Sequence, residues 1–169
     1  NVPYGTVITT DNNKVTINGT TVTATPATAT AQYTYALDSW TNGTATVTEA
    51  TTVTANFSRT LNQYTVTIND PEHGTLTVKN NETPIASGTE VDYGTVLAVT
   101  YEADDHYHFD AWTNDGAESV TVNAAKTIGA TFAPNKHTLT WNLDGGTITT
   151  AGTAAGQVAY GTTLVAPTV

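Results

Sequence analysis

The sequence predicts an all-β protein made of tandem small antiparallel β modules, each β-grasp-like or a small sandwich, in an elongated arrangement. Threonine supplies roughly a quarter of the 169 residues, and this β-branched side chain favours strands over helices. Apolar and hydroxyl side chains alternate along most of the chain, which gives each strand one apolar face and one polar face. No segment keeps a helical period for longer than one turn.

Motifs that occur more than once reveal the tandem modules. Leu37-Asp38-Ser39-Trp40-Thr41-Asn42 aligns with Phe109-Asp110-Ala111-Trp112-Thr113-Asn114. The segments that follow, residues 46–57 and 121–132, align without gaps. A Tyr-Gly-Thr element begins at Tyr4, at Tyr93 and at Tyr160. The aligned aromatic positions predict a shared core, formed by Tyr35 and Tyr107, Trp40 and Trp112, and Phe57 and Phe132.

The order of these motifs divides the chain into three modules. Residues 61–134 hold the complete copy, which opens with an alternating strand at Tyr64. Residues 1–60 lack the opening hairpin of that copy and carry an insert after the Tyr-Gly-Thr element. Turn-forming residues at 11–14 and 18–19 flank Val15 and Ile17, which predicts an added hairpin. Residues 135–169 hold the start of a third copy. The absence of methionine leads us to expect an internal part of a longer chain.

Alternation within the modules predicts which side chains are buried. Antiparallel sheets usually have one buried face and one wet face. Three sets of alternate residues in the complete copy are predicted to face a core around Trp112 and Phe132: Tyr64, Val66 and Ile68; Leu97, Val99 and Tyr101; and Ile128, Ala130 and Phe132. In the first copy Val53, Ala55 and Phe57 share a face in the same way. Each such side chain contributes roughly 1.5–3 kcal/mol when it is fully buried, so about ten of them just sustain a module of this size.

Charge and composition exclude several classes of partner. The net charge is −10, and the five basic residues are scattered along the chain. Nucleic-acid binding needs clustered Lys and Arg, so we expect none, and an acidic surface also disfavours anionic membranes. The chain has no cysteine, which removes disulfides and thiolate chemistry. No apolar run reaches the roughly 18 residues of a membrane span. This composition is typical of the exterior of a bacterium or archaeon.

The complete module resembles the divergent B-repeat of internalin B. The resemblance rests on Tyr64-Thr65-Val66-Thr67, Tyr93-Gly94-Thr95, Tyr107-His108-Phe109-Asp110-Ala111-Trp112 and Ala130-Thr131-Phe132, in that order. The segments 139–146 and 158–161 are similar to the first half of a standard B-repeat of the Listeria and Bacteroides type. The resemblance implies a small β-grasp-like module on a bacterial surface protein, with no general catalytic site. Standard B-repeats carry a helix, so an α+β β-grasp is the alternative fold.

The richest polar stretch, residues 104–110, offers two candidate metal sites. Asp104, Asp105 and Asp110 could supply oxygen ligands to Ca²⁺, but their spacing matches no EF-hand loop. His106 and His108 would share one face of a strand and could bind Zn²⁺ or Ni²⁺ if a third ligand were near. The simpler interpretation is a solvated loop followed by a strand, and we predict no metal, no cofactor and no cofactor-binding residues.

No catalytic constellation is evident either. A glycosidase needs two positioned carboxylates in a cleft, and a module of this size offers little cleft. Nucleophile elbows and Gly-rich phosphate loops are absent, so we expect no enzyme. Lys79 or Lys126 could in principle join an intramolecular Lys–Asn or Lys–Asp cross-link, but Lys126 aligns with Thr51, which argues against a shared one.

Two functions fit these observations. The leading hypothesis is a structural spacer or stalk segment of a secreted, cell-surface repeat protein or adhesin, with neighbouring repeats of the same chain as its contacts. The alternative is a recognition module for a carbohydrate or a host protein. Under that alternative Tyr33 and the insert would take part, because the copies differ there.

Overall fold

The computed structural model describes all residues from Asn1 to Val169, and it contains strands and turns but no helix. The predicted all-β fold is therefore confirmed, and the α+β alternative is wrong, since Thr-rich alternating segments form strands throughout. With no helix present, no helix has the length and apolar character that crossing a membrane requires.

Sixteen strands make up the chain. The first eight are β1 (Thr6–Asp11), β2 (Lys14–Ile17), β3 (Thr20–Thr23), β4 (Tyr33–Thr41), β5 (Thr46–Val47), β6 (Thr54–Leu61), β7 (Gln63–Ile68) and β8 (Gly74–Asn80). The other eight are β9 (Thr83–Pro84), β10 (Thr89–Asp92), β11 (Val96–Ala103), β12 (Tyr107–Asn114), β13 (Ser119–Thr121), β14 (Lys126–Pro134), β15 (Lys136–Leu139) and β16 (Gly156–Ala159). They belong to two compact units, of which unit 1 comprises residues 1–64 and 92–94, and unit 2 comprises residues 65–91 and 95–169.

Unit 2 contains the two four-stranded sheets of the complete copy. One sheet has the order β10-β7-β14-β12 and another the order β13-β11-β8-β9. The pairs β12–β14, β11–β13, β11–β8 and β8–β9 are antiparallel, whereas β14 pairs with β7 in parallel. Parallel strands need a long connection, and the segment between β7 and β14 supplies it. The sequence pattern did not predict this parallel pair.

The core of unit 2 is aliphatic at its centre. Val66, Val78, Leu97, Val122 and Ile128 are almost fully buried, with at most 1% of each exposed. The aromatic side chains form a half-buried cluster beside it. The Tyr101 ring stacks on Phe109 at 4.3 Å, and the rings of Trp112 and Phe132 meet the cluster edge to face. The predicted faces are confirmed at Val66, Leu97, Val99 and Ile128, whereas Tyr101 is 44% exposed and does not lie in the core as predicted. The best-buried centre is aliphatic.

Unit 1 contains one sheet of order β3-β2-β1-β5 and a two-stranded sheet, β4-β6. The insert forms the predicted hairpin, β2-β3, with positive φ at Asn18 in its turn and at Asn12 in the turn between β1 and β2, a conformation that asparagine tolerates. This hairpin also takes the place of two strands of the complete copy. β2 pairs with the edge of β1 that corresponds to the β8-paired edge of β11, so β2 and β3 take the sheet positions that β8 and β9 hold in unit 2.

The aligned Trp motifs form the same hairpin in both units. β4 pairs with β6, and β12 pairs with β14, in antiparallel registers. Each register shifts once, between Leu37 and Ser39 in unit 1 and between Phe109 and Ala111 in unit 2. The Asp of each motif thus occupies a β-bulge, which locally increases strand twist.

One predicted core position differs between the copies. Phe132 is half-buried and its ring lies over Gly74, where a Cβ would come within 2.6 Å of Phe132 Cε2. Its counterpart Phe57 is 47% exposed, so the prediction of a buried Phe57 is wrong. The reason is packing, because unit 1 has no aromatic residue at the position of Tyr101, where alignment of the Tyr-Gly-Thr elements places Asn12.

Candidate functional site

The linkers between successive sequence copies are the candidate functional site, because a spacer depends on how its repeats are joined. The first linker contains Asn62, which lies within unit 1. Its backbone N–H donates to the Gln32 carbonyl at 2.9 Å, and its carbonyl accepts from the Tyr93 N–H at 2.8 Å. Asn62 therefore connects the start of β4 to the Tyr-Gly-Thr element of the next copy.

The Asn62 side chain adds three hydrogen bonds at the same place. Its Nδ2 donates to the carbonyls of Thr30 at 2.8 Å and of Ala31 at 3.0 Å. Its Oδ1 accepts from Thr34 Oγ1 at 2.7 Å. The Tyr64 hydroxyl also donates to the Ala31 carbonyl, at 2.6 Å. The Asn62 and Tyr64 side chains thus hold the loop before β4 against the linker.

The second linker repeats the backbone arrangement inside unit 2. The Asn135 N–H donates to the His106 carbonyl at 2.7 Å, and the Asn135 carbonyl accepts from the Tyr160 N–H at 2.8 Å. Its side chain has a single contact, between Oδ1 and His108 Nδ1, at 2.9 Å. The two linkers therefore share their backbone bonds and differ in their side-chain bonds.

Aromatic stacking surrounds the second linker. The His106 ring stacks on Tyr160 at 4.2 Å, and the Tyr107 ring meets Tyr160 edge to face at 6.1 Å. The His73 ring also stacks on Tyr107, at 3.9 Å. Offset and edge-to-face aromatic pairs contribute about 0.5–1.5 kcal/mol each beyond area burial. This stack adds contacts between the linker region and the third copy.

The Tyr-Gly-Thr element is shaped for these bonds by its glycine. Gly5, Gly94 and Gly161 have φ values of 83°, 87° and 79°. That left-handed region is readily open to glycine and disfavoured for other residues. The turn brings the Tyr93 and Tyr160 N–H groups to the preceding linker. The repeated Tyr-Gly-Thr is therefore a structural turn that receives the linker.

Tyr33, which has no counterpart in the alignment, lies at the start of β4 as Tyr107 lies at the start of β12. The β4-β6 hairpin is longer at this end, where Tyr33 pairs with Leu61 and Thr34 with Thr60. Arg59 lies over the Tyr33 ring, 4.7 Å from its centroid. The gapless alignment pairs Tyr35 with Tyr107 and missed this extension. In the structure Tyr33 is the residue that begins β4, as Tyr107 begins β12.

The residues considered as metal ligands lie beside the second linker. Asp104 and Asp105 form the turn before β12, while Asp110 occupies the bulge and accepts a hydrogen bond from Thr131 Oγ1 at 3.3 Å. The rings of His106 and His108 engage Tyr160 and Asn135. No group of three or more His, Asp or Glu side chains is arranged to hold a metal ion.

Lys126, one of the two lysines considered for a cross-link, lies beside a carboxylate. Lys126 Nζ lies 3.7 Å from Asp115 Oδ1, the geometry of an ion pair. The Asp115 carboxylate also accepts a hydrogen bond from the Thr127 N–H at 2.8 Å. Asp115 therefore stabilises the start of β14.

The sequence places linkers at residues 58–62 and at Asn135, but it did not predict the hydrogen bonds that Asn62 and Asn135 make. A signal was present, because each asparagine precedes by two positions the aligned strand residues Tyr64 and His137. The signal was weak, since the bonds that matter belong to the backbone and any residue except proline could make them.

The fold and the two linkers define a class of protein, an array of small all-β repeats joined by short segments. Comparison with family profiles identifies the family. The divergent InlB B-repeat domain matches residues 1–61 and again residues 64–136. The chain belongs to this family, as the resemblance implied, and the family is typical of bacterial surface proteins. No curated protein and no solved structure matches the chain.

Proposed function

We propose that this chain is a spacer segment of a secreted bacterial surface protein, with a mechanical role and no enzymatic one. The observation that carries the proposal is the pair of linkers, at Asn62 and Asn135, each held by the same two backbone hydrogen bonds. A free linker residue gains roughly 1–2 kcal/mol of conformational entropy. Backbone bonds that restrict it favour a stiff connection, which is what a spacer requires.

Small-angle X-ray scattering of the intact chain tests the spacer function. A compact globule of 169 residues would have a radius of gyration of about 15 Å. We expect a clearly larger value and a pair-distance distribution with a long tail. A matched variant with a Gly-Ser-Gly-Ser insertion after Asn135 should show greater flexibility in a Kratky plot. A radius of about 15 Å for the parent chain would exclude the spacer function.

A recognition module for a glycan or a host protein is the second candidate. Exposed apolar side chains in unit 1 favour it, because Tyr4 is 83% exposed and Phe57 is 47% exposed. A glycan array and a pull-down from host-cell extract with the immobilised chain separate the two functions. Binding that is lost on Phe57→Ser would favour recognition, and no hits in either assay would favour the spacer.

A further inference from the structure

The chain contains two Asn-Gly pairs, Asn18-Gly19 and Asn42-Gly43. Such a pair can react with itself, because the backbone nitrogen of the glycine can attack the side-chain amide carbon of the asparagine. Glycine permits this approach, since it has no Cβ to crowd the attacking nitrogen. Both asparagines lie in turns with positive φ, at 48° and 56°. The surroundings of each pair therefore decide whether it reacts.

Asn18 and Gly19 form the two-residue turn of the β2-β3 hairpin, between the paired residues Ile17 and Thr20. Both turn residues are exposed, and a Cβ built on Gly19 would meet no atom within 4 Å. The Asn18 side-chain amide and the Gly19 N–H make no hydrogen bond with another part of the chain. Neither reacting group is held in place, so the glycine nitrogen has free access to the amide carbon.

Asn42-Gly43 has the same sequence but is held on both sides. The Asn42 Nδ2 donates to the Thr52 carbonyl at 2.8 Å. Gly43 is buried, and a Cβ built on it would lie 2.6 Å from Thr10 Cγ2 and 2.7 Å from Trp40 Cβ. Attack at this amide requires the loss of the hydrogen bond and a movement of buried backbone. The structure therefore protects Asn42.

The turn of the β8-β9 hairpin has the backbone of the Asn18 turn with a different sequence. Asn81 and Glu82 form this turn, with φ values of 46° and 66°, against 48° and 76° at Asn18 and Gly19. Both residues are exposed. The Glu82 side chain crowds the attacking nitrogen, and its carboxylate disfavours the loss of the N–H proton. Asn81 therefore has the geometry of Asn18 without its reactive neighbour.

We propose that Asn18 is a site of self-modification, at which the chain converts its own asparagine to aspartate and isoaspartate. The Gly19 nitrogen bonds to Asn18 Cγ, the Cγ–Nδ2 bond breaks, and the amide leaves as ammonia with the proton from Gly19. Water then opens the resulting succinimide ring. Aspartate forms when the new Cγ–N bond breaks, and isoaspartate forms when the original peptide bond breaks. No oxidation occurs, and water is the co-reactant.

Either product changes the sheet of unit 1. The new carboxylate adds a negative charge to a chain whose net charge is already −10. Isoaspartate also adds a methylene to the main chain within a two-residue turn, which then no longer matches the register of Ile17 opposite Thr20. The β2-β3 hairpin fills two of the four strand positions of this sheet. The modification therefore loosens unit 1 with time and leaves unit 2 unchanged.

Incubation of the full chain at mildly alkaline pH and physiological temperature tests the proposal. Peptide mapping by mass spectrometry follows Asn18, Asn42 and Asn81 in one sample, and ¹⁸O-labelled water marks each product with a heavy oxygen. We expect conversion at Asn18 to be at least about tenfold faster than at Asn42, because Asn42 must first lose a hydrogen bond and a buried neighbour. Asn81 should remain intact when half of Asn18 has reacted.

Two controls separate structure from sequence. In urea Asn42 should react as fast as Asn18, because both are then Asn-Gly pairs in an open chain, while Asn81 should remain slow. The variant Glu82→Gly keeps the fold, since glycine accepts the positive φ of this position. In the folded variant Asn81 should convert at a rate close to that of Asn18.

Three results would overturn the proposal. Asn18 that stays intact in the folded chain and reacts in urea would show that the hairpin turn protects it. Equal rates at Asn18 and Asn42 in the folded chain would show that the surroundings do not select between them. An unreactive Asn81 in Glu82→Gly would show that this turn geometry does not permit the attack.

Discussion

Replacement of Asn62 by alanine removes the side-chain hydrogen bonds of the first linker and leaves its backbone hydrogen bonds intact. Three hydrogen bonds are lost, at 2.8, 3.0 and 2.7 Å. A hydrogen bond contributes roughly 0.5–1.5 kcal/mol net, and the half-buried position allows water to replace part of it. We therefore expect unit 1 to lose about 1–2 kcal/mol of stability.

Asn135→Ala is the matched control, because Asn135 makes the same backbone bonds but only one side-chain contact, with His108. It should cost unit 2 about 0.5–1 kcal/mol. Urea denaturation followed by the NMR signals of each unit measures both variants. With a slope of about 1–3 kcal/mol/M, the midpoint of unit 1 should fall by roughly 0.5–1 M in Asn62→Ala. A fall no larger than that of unit 2 in Asn135→Ala would refute this account of the first junction.

The two aligned phenylalanines should respond unequally to truncation. Phe132→Ala should cost about 2–3 kcal/mol, because the ring packs in the aromatic cluster, whereas Phe57→Ala should cost about 1 kcal/mol or less at its exposed position; equal losses in thermal denaturation would contradict this difference. Gly74→Ala should cost about 1–3 kcal/mol, since its Cβ would lie 2.6 Å from Phe132 Cε2 and 2.7 Å from the Glu102 carbonyl oxygen. A smaller loss from Gly74→Ala in a Phe132→Leu background than in the parent would assign part of it to the ring, and the remainder to the Glu102 carbonyl; no loss from Gly74→Ala in the parent would contradict both clashes.

Local features of the fold were predictable from the sequence because local physics determines them. Alternation at Val66 and Ile68 fixes which side chains share a face, whatever strand lies beside them. Asn-Gly at positions 18–19 favours a tight turn because both residues tolerate positive φ, and the structure places Asn18 and Gly19 there. These signals predicted the all-β class and the insert hairpin.

Strand neighbours were not predictable in the same way. Nothing in the pattern of β7 distinguishes a parallel partner from an antiparallel one, because both bury the same face. The substitution of β8 and β9 by the insert hairpin depends on which edge of β1 is open, which is a property of the assembled sheet.

The repeat junctions show why the copies share so little polar sequence. The bonds common to both linkers run from the backbone of Asn62 to Gln32 and Tyr93, and from the backbone of Asn135 to His106 and Tyr160. Backbone groups are present at every residue except the N–H of proline, so the acceptor before the strand can be Gln in one copy and His in the other. What the turn does require is the glycine of Tyr-Gly-Thr, with its positive φ, and all three copies retain it. A comparison of side chains alone therefore finds no shared polar site, although the two linkers are held by the same geometry.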